Sequence, residues 1–191
     1  MGLFDSLLGR SKVAAPAAQE RLFAMSTAYV ALTTAHDVHP RGVAAIVFQS
    51  LATADFQAIV KEMEELVAGT SEDTGTTLET KDDSFGYRWM ILRDPDVEDL
   101  VVGVNAVSDA LAVGGYGDRV LAAVFAFEDG AKHPVYLIYN YKRGKWYPFV
   151  PADGAQQRST ERELQLQAKI GSELPLEPEL ERWFPLWGVP I

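Results

Sequence analysis

Apolar residues recur with helical spacing in two segments of the chain. The first segment carries Phe56, Ile59, Val60, Met63, Leu66 and Val67. This spacing predicts an amphipathic helix that starts at Thr53 or Asp55 and ends at Gly69. The second segment carries Val97, Leu100, Val101, Val104, Val107 and Leu111. We predict a second helix there, with Asp94 as its N-cap and a proline in its first turn.

Runs rich in β-branched and aromatic residues predict the strands. They lie at residues 43–49, 77–94, 120–128, 134–143 and 145–151. Residues 77–94 form either two strands that meet near a turn at residues 83–86 or one bent strand. Residues 29–35 form either a strand or a helix, because short apolar runs do not decide between them. A capping box over residues 160–163 predicts a further helix that ends at Gly171.

The order strand–helix–strand–strand–helix–strand, followed by a hairpin, predicts the α+β class. We expect an antiparallel sheet with the two amphipathic helices packed on one face, plus an N-terminal helix and a C-terminal helical tail. Two architectures fit this order: a ferredoxin-like sandwich with an added hairpin, and a chaperone-like fold of the type III secretion or YbjN type. We divide the chain into an amphipathic segment and linker at 1–15 and a single α+β domain at 16–191.

Composition narrows the range of functions. The 191 residues carry a net charge of −10, which argues against nucleic acid as a partner, because duplex binding depends on clustered Lys and Arg. The absence of cysteine excludes disulfides and thiolate chemistry. No run approaches the 18 apolar residues of a membrane-spanning helix, and no signal peptide is evident, so we expect a cytoplasmic protein.

Candidate catalytic chemistry is sparse. His36, Asp37 and His39 lie close together but lack the spacing of a helical metal motif, and His133 is distant in sequence. The glycines of residues 114–117 follow a helix, whereas a phosphate-binding loop follows a strand. We therefore expect no catalytic residue, no metal and no cofactor. An enzymatic function stays open as an alternative, but the sequence suggests no mechanism for it.

Two apolar segments are candidates for binding. In the first ten residues, Leu3, Phe4, Leu7 and Leu8 lie on one helical stripe. This stripe would contact a partner helix, a membrane surface weakly, or the domain itself.

The second segment is a C-terminal cluster of Trp183, Phe184 and Trp187. It either holds the tail on the domain, which we favour, or forms an exposed docking patch.

Several stretches resemble one known family. They are MGLFDSLLGRSK, GVAAIVF, DSFGYRWMILRD, YLIYNYKRGKWYPFVP and LPLEPELERWFPLWG. Together they resemble the PspA-associated protein PspAB family, whose members accompany PspA, a coiled-coil membrane-remodelling protein, and occur beside HtpX-type membrane proteases. The resemblance implies an accessory protein of an envelope-stress system and supplies no catalytic residues.

From the resemblance we expect a non-enzymatic adaptor that binds a PspA-like coiled-coil protein or an HtpX-type membrane protease. It would act in the cytoplasm, with contact to the inner face of the membrane as an alternative. Two other functions stay open: a chaperone-like binder that holds a client segment against the sheet, and an enzyme without a recognisable motif.

Overall fold

The computed structural model describes residues 20–154 and 156–191, without the side chains of residues 70–74. Its strands are β1 (Val38–Gln49), β2 (Thr77–Asp82), β3 (Tyr87–Arg93), β4 (Val120–Asp129), β5 (Pro134–Asn140) and β6 (Lys145–Phe149). Its helices are α1 (Met25–His36), α2 (Ala54–Thr74), α3 (Val97–Val113) and α4 (Thr160–Ile170). Short 3₁₀ turns cover Gly117–Arg119 and Leu180–Arg182.

The strands form one six-stranded sheet in the order β2-β3-β1-β4-β5-β6, and every neighbouring pair is antiparallel. Because β1 and β2 both run antiparallel to β3, which lies between them, they point the same way and α2 crosses over to join them. This is a split βαβ arrangement. The α+β class and the antiparallel sheet are confirmed, whereas the choice between the ferredoxin-like and chaperone-like subtypes stays a prediction.

The sheet is apolar on both faces, because residues of both parities along the central strands are buried. One face packs against all four described helices and includes Ala44, Ile46, Phe48, Met90, Leu92, Phe125, Leu137 and Trp146. The opposite face includes Val43, Ala45, Val47, Trp89, Ile91, Val124, Ile138 and Tyr147. We call these the helix face and the second face. Within the described residues, the C-terminal tail supplies the apolar side chains that pack on the second face.

The structure decides between strand and helix at residues 29–35 and moves the start of the first strand. Residues 29–35 lie in α1, and Asp37 ends that helix in the left-handed conformation with a φ of 56°. Strand β1, predicted at residues 43–49, already begins at Val38. A register shift against β4 between Pro40 and Ala44 accommodates the proline, because proline has no N–H to donate to the ladder.

Two helix boundaries were also predicted wrongly. Helix α2 continues past Gly69 to Thr74. The N-cap of α3 is Asp96, whose side chain accepts a hydrogen bond from the backbone N–H of Glu98. Asp94 is buried instead and accepts hydrogen bonds from the Thr76 hydroxyl at 2.6 Å and from the Asp96 N–H at 2.8 Å. It therefore joins the start of α3 to the residue before β2.

The close approach of α3 to the sheet depends on Gly103. A Cβ atom at this position would lie 2.4 Å from Cδ2 of Leu92, a fully buried residue of β3. A Cβ atom at Gly69, in α2, would meet no neighbouring group within 4 Å. The two glycines therefore form a matched pair of helical sites, one crowded and one with open space.

We expect Gly103→Ala to lower the free energy of unfolding by about 1–3 kcal/mol, because Leu92 must move within a packed core. Gly69→Ala should raise it by about 0.5–1 kcal/mol, because alanine favours a helix over glycine. Urea denaturation of both variants measures the two effects. A Gly103→Ala variant as stable as Gly69→Ala would contradict this account of the packing.

Candidate functional site

A groove of about 950 Å³ lies on the second face of the sheet. Its floor comes from four strands and includes Val47, Trp89, Ala122 and Tyr147. The turn between β2 and β3 contributes one part of the lining, and residues 184–188 of the tail contribute another. We call this space the open-face groove. The floor side chains are buried, and the exposed aromatic residues of the lining are Phe85 and Phe184.

Residues 183–191, which we call the C-terminal strap, cover the rest of the second face. The Trp183 indole stacks on Tyr147 with ring centres 6.5 Å apart, and its N–H donates to the carbonyl of Glu177 at 2.9 Å. Trp187 packs edge-on against Phe149 at 5.1 Å. The Tyr136 hydroxyl donates to the carbonyl of Ile191 at 3.2 Å. These contacts place the strap over β5 and β6, whereas most of the groove floor comes from β1, β3 and β4.

A buried ion pair holds the start of the strap. Glu163 of α4 is fully buried and accepts hydrogen bonds from Arg158 Nε at 2.8 Å and from the Val150 N–H at 2.8 Å. Arg158 Nη1 then donates to the Trp183 carbonyl at 2.6 Å. The sequence had assigned Glu163 to a capping box, and that assignment is wrong. The N-cap of α4 is Ser159, whose side chain forms no capping hydrogen bond.

A second ion pair holds the segment before the strap. Glu177 is buried, and Arg143 Nε donates to its Oε2 at 2.8 Å. The Glu177 N–H donates to the Trp146 carbonyl at 2.7 Å, and Leu176 forms a parallel bridge with Trp146 at the edge of β6. The Arg143 guanidinium lowers the pKa of Glu177, since it donates hydrogen bonds to the ionised carboxyl. The chain therefore follows the edge of β6 before it crosses to the second face.

Asp83 shapes the turn on the other side of the groove. Its Oδ1 accepts hydrogen bonds from the N–H groups of Phe85 and Tyr87, at 2.8 and 2.9 Å, and its Oδ2 accepts from the Trp89 indole at 3.1 Å. Burial raises the pKa of Asp83, but these hydrogen bonds outweigh it, and the pKa lies below its ordinary value. Gly86 completes the turn with a φ of 85°. The turn holds Phe85, which is 80% exposed, at the rim of the groove.

Charged groups lie at the edge of the groove. Asp83, Asp118 and Lys142 are part of the lining, which gives two carboxylates and one ammonium group around an aromatic and aliphatic surface. The Tyr147 hydroxyl donates to the Phe184 carbonyl at 3.0 Å, and burial raises the pKa of this phenol. An apolar floor with an acidic rim suits an apolar segment that carries basic residues beside its apolar stripe.

The structure separates the three aromatic residues of the predicted docking patch. Trp183 is only 4% exposed and packs on the sheet, whereas its neighbour Phe184 is 57% exposed and borders the groove. Trp187 is half-buried and also lines the groove. Leu3, Phe4, Leu7 and Leu8 lie outside the described residues. Sequence reasoning did not identify Phe85, Asp83 or Trp89 as groove residues, because the strand and turn patterns there carry no sign of a shared surface.

The histidines lie at another place in the fold. His39 Nε2 is 2.8 Å from Asp37 Oδ1, and pairing between β1 and β4 sets His39 opposite Glu128. His133 hydrogen-bonds to Asp129, so it lies at the same end of the sheet as His39 despite their separation in sequence. These side chains are at least partly exposed, and they line no part of the open-face groove. Among the residues that the structure describes, no three His, Asp or Glu side chains are grouped so as to hold a metal.

Within the same residues, no helix combines the length and apolar character needed to cross a bilayer. The family model of PspA associated protein B matches residues 1–191, the whole of the chain. The chain belongs to the PspA associated protein B family. Comparison with curated proteins and with solved structures returned no match. The family name links this protein to PspA and identifies no residue as a contact or a catalyst.

The strap gives a prediction about stability in this member of the PspA associated protein B family. Trp183→Ala should lower the free energy of unfolding by about 3–5 kcal/mol, because it removes a buried aromatic group and leaves a cavity. Phe184→Ala, one residue further along, should change it by less than about 0.5 kcal/mol, because that ring is mostly exposed. Denaturant unfolding measures both. Equal effects would contradict the assignment of Trp183 to the core.

The ion pair of Glu177 predicts a dependence on pH. A carboxyl whose pKa is lower in the folded state stabilises the fold above its ordinary pKa of 4.5, and that contribution is lost as the pH falls through the folded value. Glu177→Gln should therefore lower the free energy of unfolding by about 1–3 kcal/mol at neutral pH. The difference in this free energy between variant and wild type should become smaller once the pH falls below the ordinary pKa of 4.5.

Glu65→Gln is the control for this measurement, because Glu65 pairs with Lys61 on the exposed side of α2, away from Arg143. We expect it to change stability by less than about 1 kcal/mol at every pH. A difference between Glu177→Gln and wild type that does not shrink in acid would show that the carboxylate charge is not the source of the stabilisation.

Proposed function

We propose that the protein is a non-enzymatic accessory in a PspA-linked system, and that it binds a PspA-type protein through the open-face groove. The observation that carries the proposal is the groove itself: an aromatic and aliphatic sheet surface bordered by the exposed rings of Phe85 and Phe184. Exposed aromatic residues next to an apolar concavity are typical of contact sites between proteins. Membership of the PspA associated protein B family supports the choice of a PspA-type partner.

The dimensions of the groove suit one helix of a coiled-coil partner. Strands in a sheet lie about 4.8 Å apart, so the span from β3 to β5, which contributes Asn140 to the lining, is about 14 Å. An α-helix with its side chains is about 10–12 Å across. Such a helix would lie above Trp89 and Ala122, with its apolar stripe against the exposed rings of Phe85 and Phe184. The acidic rim at Asp83 and Asp118 favours basic residues beside that stripe.

We place this interaction in the cytoplasm, at or near the inner face of the membrane, as the family resemblance suggests. The proposal commits to the PspA-type protein as the partner. An HtpX-type membrane protease is the other partner that the resemblance suggests, and its capture in place of PspA would overturn the choice of partner.

A second candidate function is that of a chaperone-like binder. The same observation favours it, since an apolar groove above a sheet would hold a client segment of varied sequence. The two functions differ in specificity. An adaptor should distinguish the PspA-type protein from an unfolded client protein, whereas a chaperone-like binder should bind both with similar affinity.

The test measures binding of the PspA-type protein from the same organism to the full-length chain by calorimetry. Phe184→Ala and Phe85→Ala should each weaken binding about tenfold or more, because both remove exposed aromatic groups at the rim of the contact. Val102→Ala is the control. Val102 is 55% exposed, close to the 57% of Phe184, but it lies on α3, at the opposite side of the sheet. It should leave the affinity unchanged.

Three outcomes would contradict the proposal. Equal losses for Val102→Ala and Phe184→Ala would exclude the groove as the contact. Absence of binding by the wild-type chain would exclude a direct complex with the PspA-type protein. Equal binding of a reduced, unfolded client protein would favour the chaperone-like function.

A further inference from the structure

We infer that the open-face groove also receives the N-terminal segment of its own chain, so that residues 3–8 occupy it in competition with the partner. The inference rests on the proposed function, in that it uses the same groove and assigns it a regulator. The contacts would come from the apolar stripe of Leu3, Phe4, Leu7 and Leu8. Three features of the chain support it: the place where the described chain begins, the length that the preceding residues can span, and the match in polarity and charge between the segment and the groove.

The described chain begins on the helix face of the sheet, next to the turn between β5 and β6. The Trp146 indole N–H donates to the Arg21 carbonyl at 2.8 Å, and Arg21 Nη1 lies 3.5 Å from the carbonyl of Gly144. Gly144 belongs to the turn between β5 and β6. Asn140 and Lys142, at the start of that turn, line the groove. Residue 20 therefore lies beside the turn that forms one border of the groove.

The preceding residues are long enough to reach the groove. An extended chain spans about 3.3–3.6 Å per residue, so the eight steps from Lys12 to Glu20 cover up to about 26 Å. A sheet of six strands is about 24 Å wide, since neighbouring strands lie about 4.8 Å apart. The linker is therefore long enough to pass round the β5–β6 turn and to reach β4, a strand of the groove floor near that turn. Residues 3–8 would then lie over the groove.

The two surfaces also match in chemistry. The segment carries four large apolar groups on one stripe, and the groove offers the side chains of Val47, Trp89 and Ala122 as its floor. The segment has two cations, Arg10 and Lys12, against one acid, Asp5, before residue 20. The rim has Asp83 and Asp118 against Lys142. The segment therefore resembles in chemistry the amphipathic partner helix that the groove suits.

Attachment in cis gives this segment an advantage over a free partner. A short linker holds a tethered ligand at an effective concentration of the order of millimolar, so even a weak contact is occupied much of the time. A partner must then displace the segment before it binds. Removal of residues 1–15 should raise the affinity for the partner, which is the opposite of what a recognition role for this segment would produce.

The test uses the full-length chain, whose lack of cysteine gives a clean background for paired substitutions. Leu7→Cys combined with Leu121→Cys places one thiol in the segment and one in the groove lining. Leu7→Cys combined with Leu164→Cys is the matched control. Leu121 and Leu164 are both 39% exposed, but Leu164 lies on α4, which packs beside α1 on the helix face. Disulfide formation is followed by mass spectrometry under mild oxidation.

We expect the groove pair to form an intramolecular disulfide about tenfold faster than the control pair, because docking raises the local concentration of one thiol near the other. Addition of Phe4→Asp to the groove pair should remove that difference. Phe184→Cys serves as a second groove position where Leu121→Cys lowers the thermal midpoint. Equal rates for the groove and control pairs, or a disulfide that joins two chains, would overturn the inference.

The outcome is independent of the proposed function, because the rates are measured without any partner. If the groove pair reacts fast while the PspA-type protein does not bind, the groove receives the segment but the choice of partner is wrong. If the partner binds through the groove while the two pairs react equally, the proposed function survives and the cis contact does not exist.

Discussion

The sheet is apolar on both faces, and each face must be covered by some other part of the molecule. The four helices that the structure describes cover the helix face, as expected for an α+β protein with amphipathic helices. The C-terminal strap packs on the second face, where Trp183 and Trp187 contact Tyr147 and Phe149 of β6. The open-face groove lies between the strap and the turn that joins β2 and β3, above buried side chains of β1, β3 and β4. The groove therefore exists because two separate segments border the same sheet surface.

Two ion pairs determine the path of the strap. Arg158–Glu163 holds the backbone of Trp183 against α4, and Arg143–Glu177 holds the preceding segment at the edge of β6. Buried ion pairs add little net stability, because the loss of hydration offsets much of their attraction. Their value here is positional: each carboxylate accepts bonds that only one path of the chain provides. Together they leave Phe184 at the rim of the groove while Trp183 enters the core.

The open-face groove offers a surface through which a member of this family would bind a partner. Membership of the PspA associated protein B family indicates a link to PspA. The groove provides the surface on which such a link would depend, with an apolar floor, exposed phenylalanines and an acidic rim. The same features describe a surface that the N-terminal segment would match. A protein with one groove and two competing occupants would respond to the concentration and affinity of its partner.

The sequence by itself determined the class of the fold and most of its elements, but left the start of β1 and the type of residues 29–35 undecided. The apolar stripes of α2 and α3 and the β-branched runs of the strands are local patterns, and local patterns suffice to specify helices and strands. They did not determine which carboxylates were caps: Glu163 and Asp94 have the right spacing, but their partners, Val150 and Thr76, come from other elements. The tertiary structure alone decided that Trp183 is buried and Phe184 exposed. These two residues are adjacent in sequence but point in different directions. The groove forms where four strands and the C-terminal tail come together, and the spacing of residues within one segment cannot predict such a meeting.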